Sequence, residues 1–147
     1  MRDAQSTSSA LGLRVHVLNA KTEGEMRAAF AALLQLKAGA LVIGPDQFFN
    51  TSVEQLAALA VHHAVPAVYE GREFTAAGGL MSYGHSILEG YQLAGVYTGR
   101  VLNGEKPADL PVQQSTKVEL YINLKAAKAL GITFPLPLLG RADEVIE

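Results

Sequence analysis

Short apolar runs alternate with helical patterns along most of the chain, and this alternation limits the possible folds more than any other feature. Four of the runs predict strands, at 13–18, 40–43, 65–69 and 80–83. Capping boxes of the form Ser/Thr-x-x-Glu predict three helix starts, at Thr22, Thr51 and Ser86. Because strands that alternate with helices form parallel sheets with right-handed crossovers, the sequence predicts an α/β fold. We expect a three-layer, Rossmann-like parallel sheet with helices on both faces.

The last forty residues follow a different pattern. Residues 117–123 alternate polar and apolar side chains, which predicts a half-exposed strand. Asn123 can cap a short helix that ends near Gly131. Pro135 and Pro137 are expected to keep the leucines around them extended, so this tail should pack along a neighbouring surface without regular structure.

The composition excludes several kinds of site and partner. The chain has no cysteine, so it forms neither disulfides nor zinc–thiolate sites. Its net charge of -2 gives no electrostatic reason to expect binding to nucleic acid or to an anionic membrane. No signal peptide is expected in residues 1–11, which instead resemble the end of a helix that began upstream.

Candidate ligand contacts gather where the predicted strands end. Open parallel sheets bind ligands outside the carboxyl ends of their strands. That edge combines carboxylates, hydroxyls and aromatic rings, as small-molecule pockets do. Six residues there are the predicted ligand contacts: Asp46, Phe48, Tyr69, Glu70, Ser82 and Tyr83. The alternative is that these six residues belong only to the turns that follow the strands at any such edge.

Sequence motifs for catalysis, metals and cofactors are absent or incomplete. A nucleophile elbow requires Gly-x-Ser-x-Gly, but Leu80 stands two residues before Ser82, so we expect no enzyme activity and no catalytic residue. His62 and His63 are adjacent and therefore point about 100° apart on a helix, which is unsuitable for a metal pair. There is no phosphate-binding or dinucleotide-binding glycine pattern, so no cofactor is expected.

Two alternative functions remain open at this stage. An α/β hydrolase would use Ser82 with His85 and either Asp46 or Glu70. A receiver-like signalling domain would use Asp46, although the first predicted strand ends in Asn19-Ala20 where a receiver has an acidic pair.

Several segments, taken in order, resemble the periplasmic substrate-binding proteins of ABC transporters, in the group that includes tryptophan- and tyrosine-type binding proteins. The most specific are Gly-Gly-Leu-x-Ser-Tyr-Gly at 78–84 and Gly-Glu-Lys-Pro-Ala-Asp-Leu-Pro at 104–111. The others lie at 41–46, 66–70, 72–74 and 122–131, so the resemblance covers nearly the whole chain.

This resemblance implies a type I periplasmic-binding fold, in which two α/β lobes close about a hinge on a small solute such as an amino acid. It implies a periplasmic location and an ABC permease as partner of the full-length protein. It also implies the same ligand contacts: Asp46 and its loop, Tyr69-Glu70 and Ser82-Tyr83.

A typical member of the resembled family also has a signal peptide and an entire amino-terminal lobe. The chain is therefore expected to be a carboxyl-terminal lobe at 1–84, a crossover helix at 85–106 that would pack on the other lobe, and a returning segment at 107–147. Without that other lobe, the apolar face of helix 86–102 should pack against another surface, and we expect a homo-oligomer through this helix.

Overall fold

The computed structural model describes residues 7, 8, 10–113 and 116–147. It forms two compact units, Met1–Gly39 and Ala40–Glu147. The second unit contains one five-stranded sheet in the order β1-β2-β3-β4-β5. Its strands are β1 Leu41–Val42, β2 Ala67–Tyr69, β3 Met81–His85, β4 Val118–Asn123 and β5 Glu144–Ile146.

Strands β1, β2 and β3 are parallel, β4 is antiparallel to β3, and β5 is parallel to β4. The prediction of an α/β fold with a mainly parallel sheet is confirmed. The predicted strands at 40–43, 65–69, 80–83 and 117–123 are all present, with ends shifted by up to two residues.

Seven helices accompany these strands in the described part of the chain. They are α1 Glu23–Gln35, α2 Gln47–Thr51, α3 Val53–His62, α4 Arg72–Ala76, α5 Ile87–Leu102, α6 Leu124–Ala129 and α7 Leu136–Leu139. A 3₁₀ turn, Pro107–Asp109, follows α5. No helix among the described residues is long and apolar enough to cross a membrane.

Side-chain caps fix three of these helix starts as predicted. The hydroxyl of Thr22 accepts a hydrogen bond from the Glu25 amide, and that of Ser86 accepts one from the Glu89 amide. The Asn123 side chain accepts a hydrogen bond from the Ala126 amide at 2.9 Å. Each cap satisfies one of the backbone donors that a helix start leaves without an intrahelical partner.

The capping box predicted at Thr51 is wrong. The chain enters a helix earlier, at Gln47, because the Asp46 carboxylate accepts a hydrogen bond from the Phe48 amide at 2.8 Å and caps α2. Thr51 is the last residue of that helix, and its hydroxyl donates to the Phe48 carbonyl. Ser52 occupies the cap position of α3 without a side-chain hydrogen bond.

The strand predicted at 13–18 is also wrong. Residues 13–20 have no regular secondary structure. Leu13 is 62% exposed, and Val15 and Val17 are 44% and 42% exposed. A strand is stable only when a neighbour pairs with its backbone groups. The described residues of the first unit contain no second strand for this segment. The helix end predicted over 1–11 lies largely outside the described residues.

The tail is more regular than the sequence suggested. Residues 136–139 form α7, and residues 144–146 form β5 beside β4. The expectation of an extended tail is wrong because Pro135 and Pro137 lie at the cap and in the first turn of α7, where a missing N–H costs no intrahelical bond. Asp143 then joins β4, with its carboxylate accepting from the Leu120 amide at 2.8 Å.

The core of the second unit lies on both faces of the sheet. The most buried apolar side chains come from the strands and from helices α3, α4 and α6, and include Leu56, Ala60, Phe74, Ile122 and Ala127. In the first unit, α1 buries Met26, Phe30 and Leu33, whereas Leu34 is exposed.

Candidate functional site

The loop after β1 brings a carboxylate and two aromatic rings to the carboxyl edge of the sheet. Asp46 is exposed, and its capping role fixes the start of α2. Phe48 and Phe49 follow within the first turn, partly exposed, with ring centroids 5.5 Å apart. The short helix therefore presents a negative charge and an aromatic pair at one end of the lobe.

Tyr69, at the end of β2, holds this loop in place. Its side chain is only 2% exposed, and its hydroxyl donates a hydrogen bond to the side-chain oxygen of Asn50 in α2. Its ring packs edge-on against Phe74 in α4 with centroids 5.8 Å apart. One buried tyrosine thus joins the loop after β1 to the helix after β2.

The electrostatics around Tyr69 are acidic. Burial, together with the nearby carboxylates of Glu70, Asp46 and Glu73, raises the pKa of Tyr69 to about 12. The hydroxyl therefore remains a protonated donor at physiological pH. The three carboxylates also show that negative charge accumulates at this edge.

A row of polar side chains crosses four strands in register below this edge. Tyr69 pairs with Ser82, Ser82 with Tyr121, and Tyr121 with Glu144. Directly paired residues point to the same face of a sheet. The row therefore lies on one face, and α4 contacts it along its length.

Three contacts fix α4 to this row. Thr75 donates a hydrogen bond to the Ser82 hydroxyl at 2.9 Å, and both side chains are fully buried. Arg72 forms a two-pronged ion pair with Glu144, with N···O distances of 2.7 and 2.6 Å, and lies over the Tyr121 ring. The hydrogen bonds from Arg72 lower the pKa of Glu144. Arg72 is thus engaged within the fold and is not a free cation at the edge.

Ser82 and Tyr83 do not share a face. Adjacent residues of a strand point to opposite sides, and Tyr83 pairs with Leu120 while Ser82 pairs with Tyr121. Ser82 has no exposed surface, whereas Tyr83 is 60% exposed. His85 lies on the Tyr83 side, so the structure does not bring Ser82 and His85 together as a hydrolase would require.

Gly84 allows the ends of β2 and β3 to approach closely. A Cβ atom at Gly84 would lie 2.4 Å from the Glu70 carbonyl oxygen and 2.9 Å from its Cα. No side chain fits at that distance. The absence of a side chain at this one position therefore sets the spacing of the predicted edge.

Four of the six predicted contacts meet at this edge: Asp46, Phe48, Tyr69 and Glu70. Sequence reasoning did not select Asn50, Thr75 or Gly84, which organise it. Asn50 carried a signal, since it is an amide in the loop after β1, but nothing in the sequence pairs Thr75 with Ser82. A cavity of about 400 Å³ lies elsewhere, between α6 and α7, lined mainly by apolar side chains, and includes none of the predicted contacts.

The chain matches the family model described as ABC transporter substrate binding protein over residues 1–146. It belongs to this family. Members of the family bind a small solute outside the cytoplasm and work with an ABC permease. A search of curated protein sequences gives no significant match.

Solved structures share the fold of this ABC substrate-binding chain. It aligns with a conserved domain protein from Vibrio cholerae at 23% identity and a TM-score of 0.87, covering 99% of this chain and 49% of that one. An ABC domain from Streptococcus pneumoniae in complex with L-Trp aligns at 24% identity and a TM-score of 0.84, covering 99% and 50%.

A third structure extends this fold match. The ligand-free, open CD0873 of Clostridium difficile, a substrate-binding protein with adhesive properties, aligns at 21% identity and a TM-score of 0.69, covering 99% and 48%. The chain thus spans about half the length of the structures that it matches.

Proposed function

We propose that this chain is the carboxyl-terminal lobe of a periplasmic solute-binding protein of an ABC importer, a binding module and not an enzyme. The observation that supports this most is that 99% of the chain aligns with about half of each solved structure that it matches. In this proposal residues 1–84 form the lobe, 85–106 cross to a second lobe, and 107–147 return. The permease recognises the closed, full-length protein.

The chemistry of the sheet edge favours a ligand with an ammonium group and an apolar or aromatic side chain. Asp46, Glu70 and Glu73 place carboxylates around Tyr69, and Arg72 is already paired with Glu144. A ligand ammonium is stabilised by such carboxylates, whereas a ligand carboxylate is repelled. Phe48 offers ring surface for the side chain. An amino acid, with its carboxylate held by the second lobe, meets these conditions.

The predicted residues have two different roles in this proposal. Asp46, Phe48 and Glu70 have accessible surface at the edge and contact the ligand. Tyr69 and Ser82 are buried and act behind them, Tyr69 by holding the loop of Asp46 and Ser82 by holding α4 through Thr75. Ligand bridges the two lobes and shifts the equilibrium between open and closed forms by its higher affinity for the closed one.

One lobe offers only part of the contacts, so we expect weak binding by this chain alone, with dissociation constants of about a millimolar. Titration of the ¹⁵N-labelled chain with L-Trp, followed by NMR, should shift the amides of residues 46–50 and 69–71. Tryptamine, which lacks the carboxylate, should shift the same amides. Indole-3-propionate, which lacks the ammonium, should not.

Two variants and a control complete this test. Asp46→Asn and Glu70→Gln should abolish the shifts caused by tryptamine, whereas Glu54→Gln, an exposed change in the first turn of α3, should not. If indole-3-propionate shifts this edge and tryptamine does not, the proposed ligand class is wrong. Micromolar binding by the chain alone would contradict the need for a second lobe.

A further inference from the structure

The side chain of Asn50 uses only one of its two polar atoms within the fold. Asn50 lies in α2 and is exposed, and its side-chain oxygen accepts the hydrogen bond that the buried Tyr69 hydroxyl donates. The other end of the side chain is an NH₂ group, which carries two N–H donors and no acceptor. Among the residues that the structure describes, none accepts a hydrogen bond from this NH₂ group.

The hydrogen bonds of Tyr69 determine which way the Asn50 amide faces. The Tyr69 hydroxyl has one proton to donate, and it accepts a hydrogen bond from the backbone N–H of Asp46. If the amide were reversed, the Asn50 NH₂ group would also donate to Tyr69. The phenol proton would then have no acceptor at a side chain that is 2% exposed, which is costly for a buried donor. Tyr69 therefore holds the amide oxygen and turns the NH₂ group away from the buried phenol.

The NH₂ group that results lies beside a carboxylate. Asn50 follows Asp46 by four residues, and its backbone N–H donates to the Asp46 carbonyl at 3.0 Å. Side chains four residues apart on a helix are neighbours, with Cβ atoms about 5–6 Å apart. Phe48 and Glu70 belong to the same edge. The edge therefore combines an oriented N–H donor with the carboxylates that surround Tyr69.

This combination suits the skeleton of an α-amino acid. A ligand ammonium is stabilised by the carboxylates of Asp46 and Glu70. In α-amino acids and their derivatives, a carbonyl or carboxyl oxygen is attached one carbon beyond the carbon that bears the ammonium. That oxygen comes within reach of the Asn50 NH₂ group when the ammonium binds the carboxylates. A simple amine has no such oxygen, and a site with an oriented donor discriminates against a ligand that leaves it unpaired.

We infer that Asn50 determines specificity at this edge, by donating a hydrogen bond from its NH₂ group to the oxygen beside the ligand ammonium. The edge then selects α-amino acid derivatives over simple amines. Tyr69 is the positioning residue, because it fixes the amide in the donating orientation. The inference rests on the proposed function, since it requires the ligand ammonium to bind at Asp46. It adds a contact and a selectivity that the carboxylates alone do not provide.

Two ligands that differ in one group test this contact by NMR titration of the ¹⁵N-labelled chain. L-Tryptophanamide has a carbonyl group beside its ammonium, and α-methyltryptamine of the same spatial configuration has a methyl group in that place. At about pH 6 both ammonium groups are protonated, so the ligands carry equal charge. One neutral hydrogen bond should make L-tryptophanamide bind about three- to tenfold tighter. The side-chain NH₂ signals of Asn50 should move downfield with L-tryptophanamide only.

A conservative substitution separates the donor from the acceptor of Asn50. Asn50→Asp keeps an oxygen that accepts from Tyr69 and removes the N–H donors. The preference for L-tryptophanamide should fall to about one, while α-methyltryptamine should bind at least as well, because a carboxylate is added. Gln47→Glu makes the same chemical change at an exposed residue of the same helix and should leave the preference unchanged.

The positioning role of Tyr69 has its own readout. Tyr69→Phe removes no proposed ligand contact but frees the Asn50 amide to rotate, so the preference for L-tryptophanamide should fall while α-methyltryptamine binds as before. The ¹⁵N spectrum of each variant shows whether it keeps the fold. A full preference in Tyr69→Phe would contradict the positioning role.

Three further outcomes would overturn the inference. Equal binding of the two ligands by the wild-type chain would show that Asn50 donates nothing to the ligand, and the proposed ammonium site would still stand. A preference that persists in Asn50→Asp would place the carbonyl contact elsewhere. If neither ligand shifts the amides of residues 46–50, the proposed ligand class and this inference are both wrong.

Discussion

At the residue scale, Tyr69 links the stability of the lobe to alkaline pH. Its pKa is about 12 in the fold and 10.0 in its absence, so the native state favours the protonated hydroxyl. The stability that this preference provides is complete below pH 10 and is lost as the pH rises towards 12. Near pH 8 we expect Tyr69→Phe to be less stable than wild type by about 1 kcal/mol, for the lost hydrogen bond to Asn50.

That deficit should shrink and then reverse between pH 10 and 12, because residue 69 of the wild type ionises in the unfolded chain in this range while the native state keeps its proton, and Phe has no proton to lose. Urea unfolding at each pH measures the difference. Tyr121, whose pKa is also raised to about 12, is present in both proteins and cancels. A difference that stays constant up to pH 12 would show that the Tyr69 hydroxyl ionises as in the unfolded chain.

Gly84 tests whether the close approach of β2 and β3 is required. In Gly84→Ala the new methyl group meets backbone atoms of Glu70, which cannot rotate away as a side chain would. We expect a loss of about 1–3 kcal/mol in the free energy of unfolding, typical of overpacking. Gly24→Ala in α1 is the control, since no atom lies within 4 Å of its Cβ position, and it should be neutral or stabilising. Equal effects of the two substitutions would disprove the steric argument.

At the scale of elements, Asn123 joins β4 to two helices. Its side-chain oxygen caps α6, and its side-chain nitrogen donates to the Thr75 carbonyl in α4 at 3.1 Å. Because the residue is buried, Asn123→Ala loses both bonds away from water, and we expect a cost of about 2–3 kcal/mol. Changing the exposed cap Thr22 to Ala should lower the free energy of unfolding by about 1 kcal/mol or less. Chemical unfolding compares them, and similar costs would contradict a linking role for Asn123.

Elements were predictable where the local sequence and the packing agree. The runs at 40–43 and 65–69 became strands because their apolar side chains enter the core, as at Ile43 and Ala67. The run at 13–18 is also rich in leucine and valine but has no pairing neighbour within its described unit, and no local pattern reveals that. The cap lies at Asp46 and not at the predicted Thr51, because a five-residue helix begins at Gln47 and periodicity is too coarse to detect a helix that short.

The candidate site was predictable to the extent that strand ends determine it. The topology rule placed Asp46, Tyr69 and Glu70 at one edge, where the structure has them. Strand alternation puts Ser82 and Tyr83 on opposite faces, but it does not tell which of the two is buried. That depends on the elements packed on each face and on β4, which is some 36 residues further along the chain. Contacts such as Arg72 with Glu144 depend on the tail, which was expected to be irregular.

At the scale of the whole molecule, α5 is the element whose stability does not follow from the rest of the described chain, since none of its residues is buried. In the proposed two-lobe protein the second lobe covers this helix. Hydrogen exchange in α5 of this chain alone should therefore be faster than in β2 and β3, whose backbone bonds lie within the sheet. Hydrogen-exchange mass spectrometry measures both. Protection of α5 equal to that of β2 and β3 would mean that the helix is stable uncovered, and this physical reason for a second lobe would then be lost.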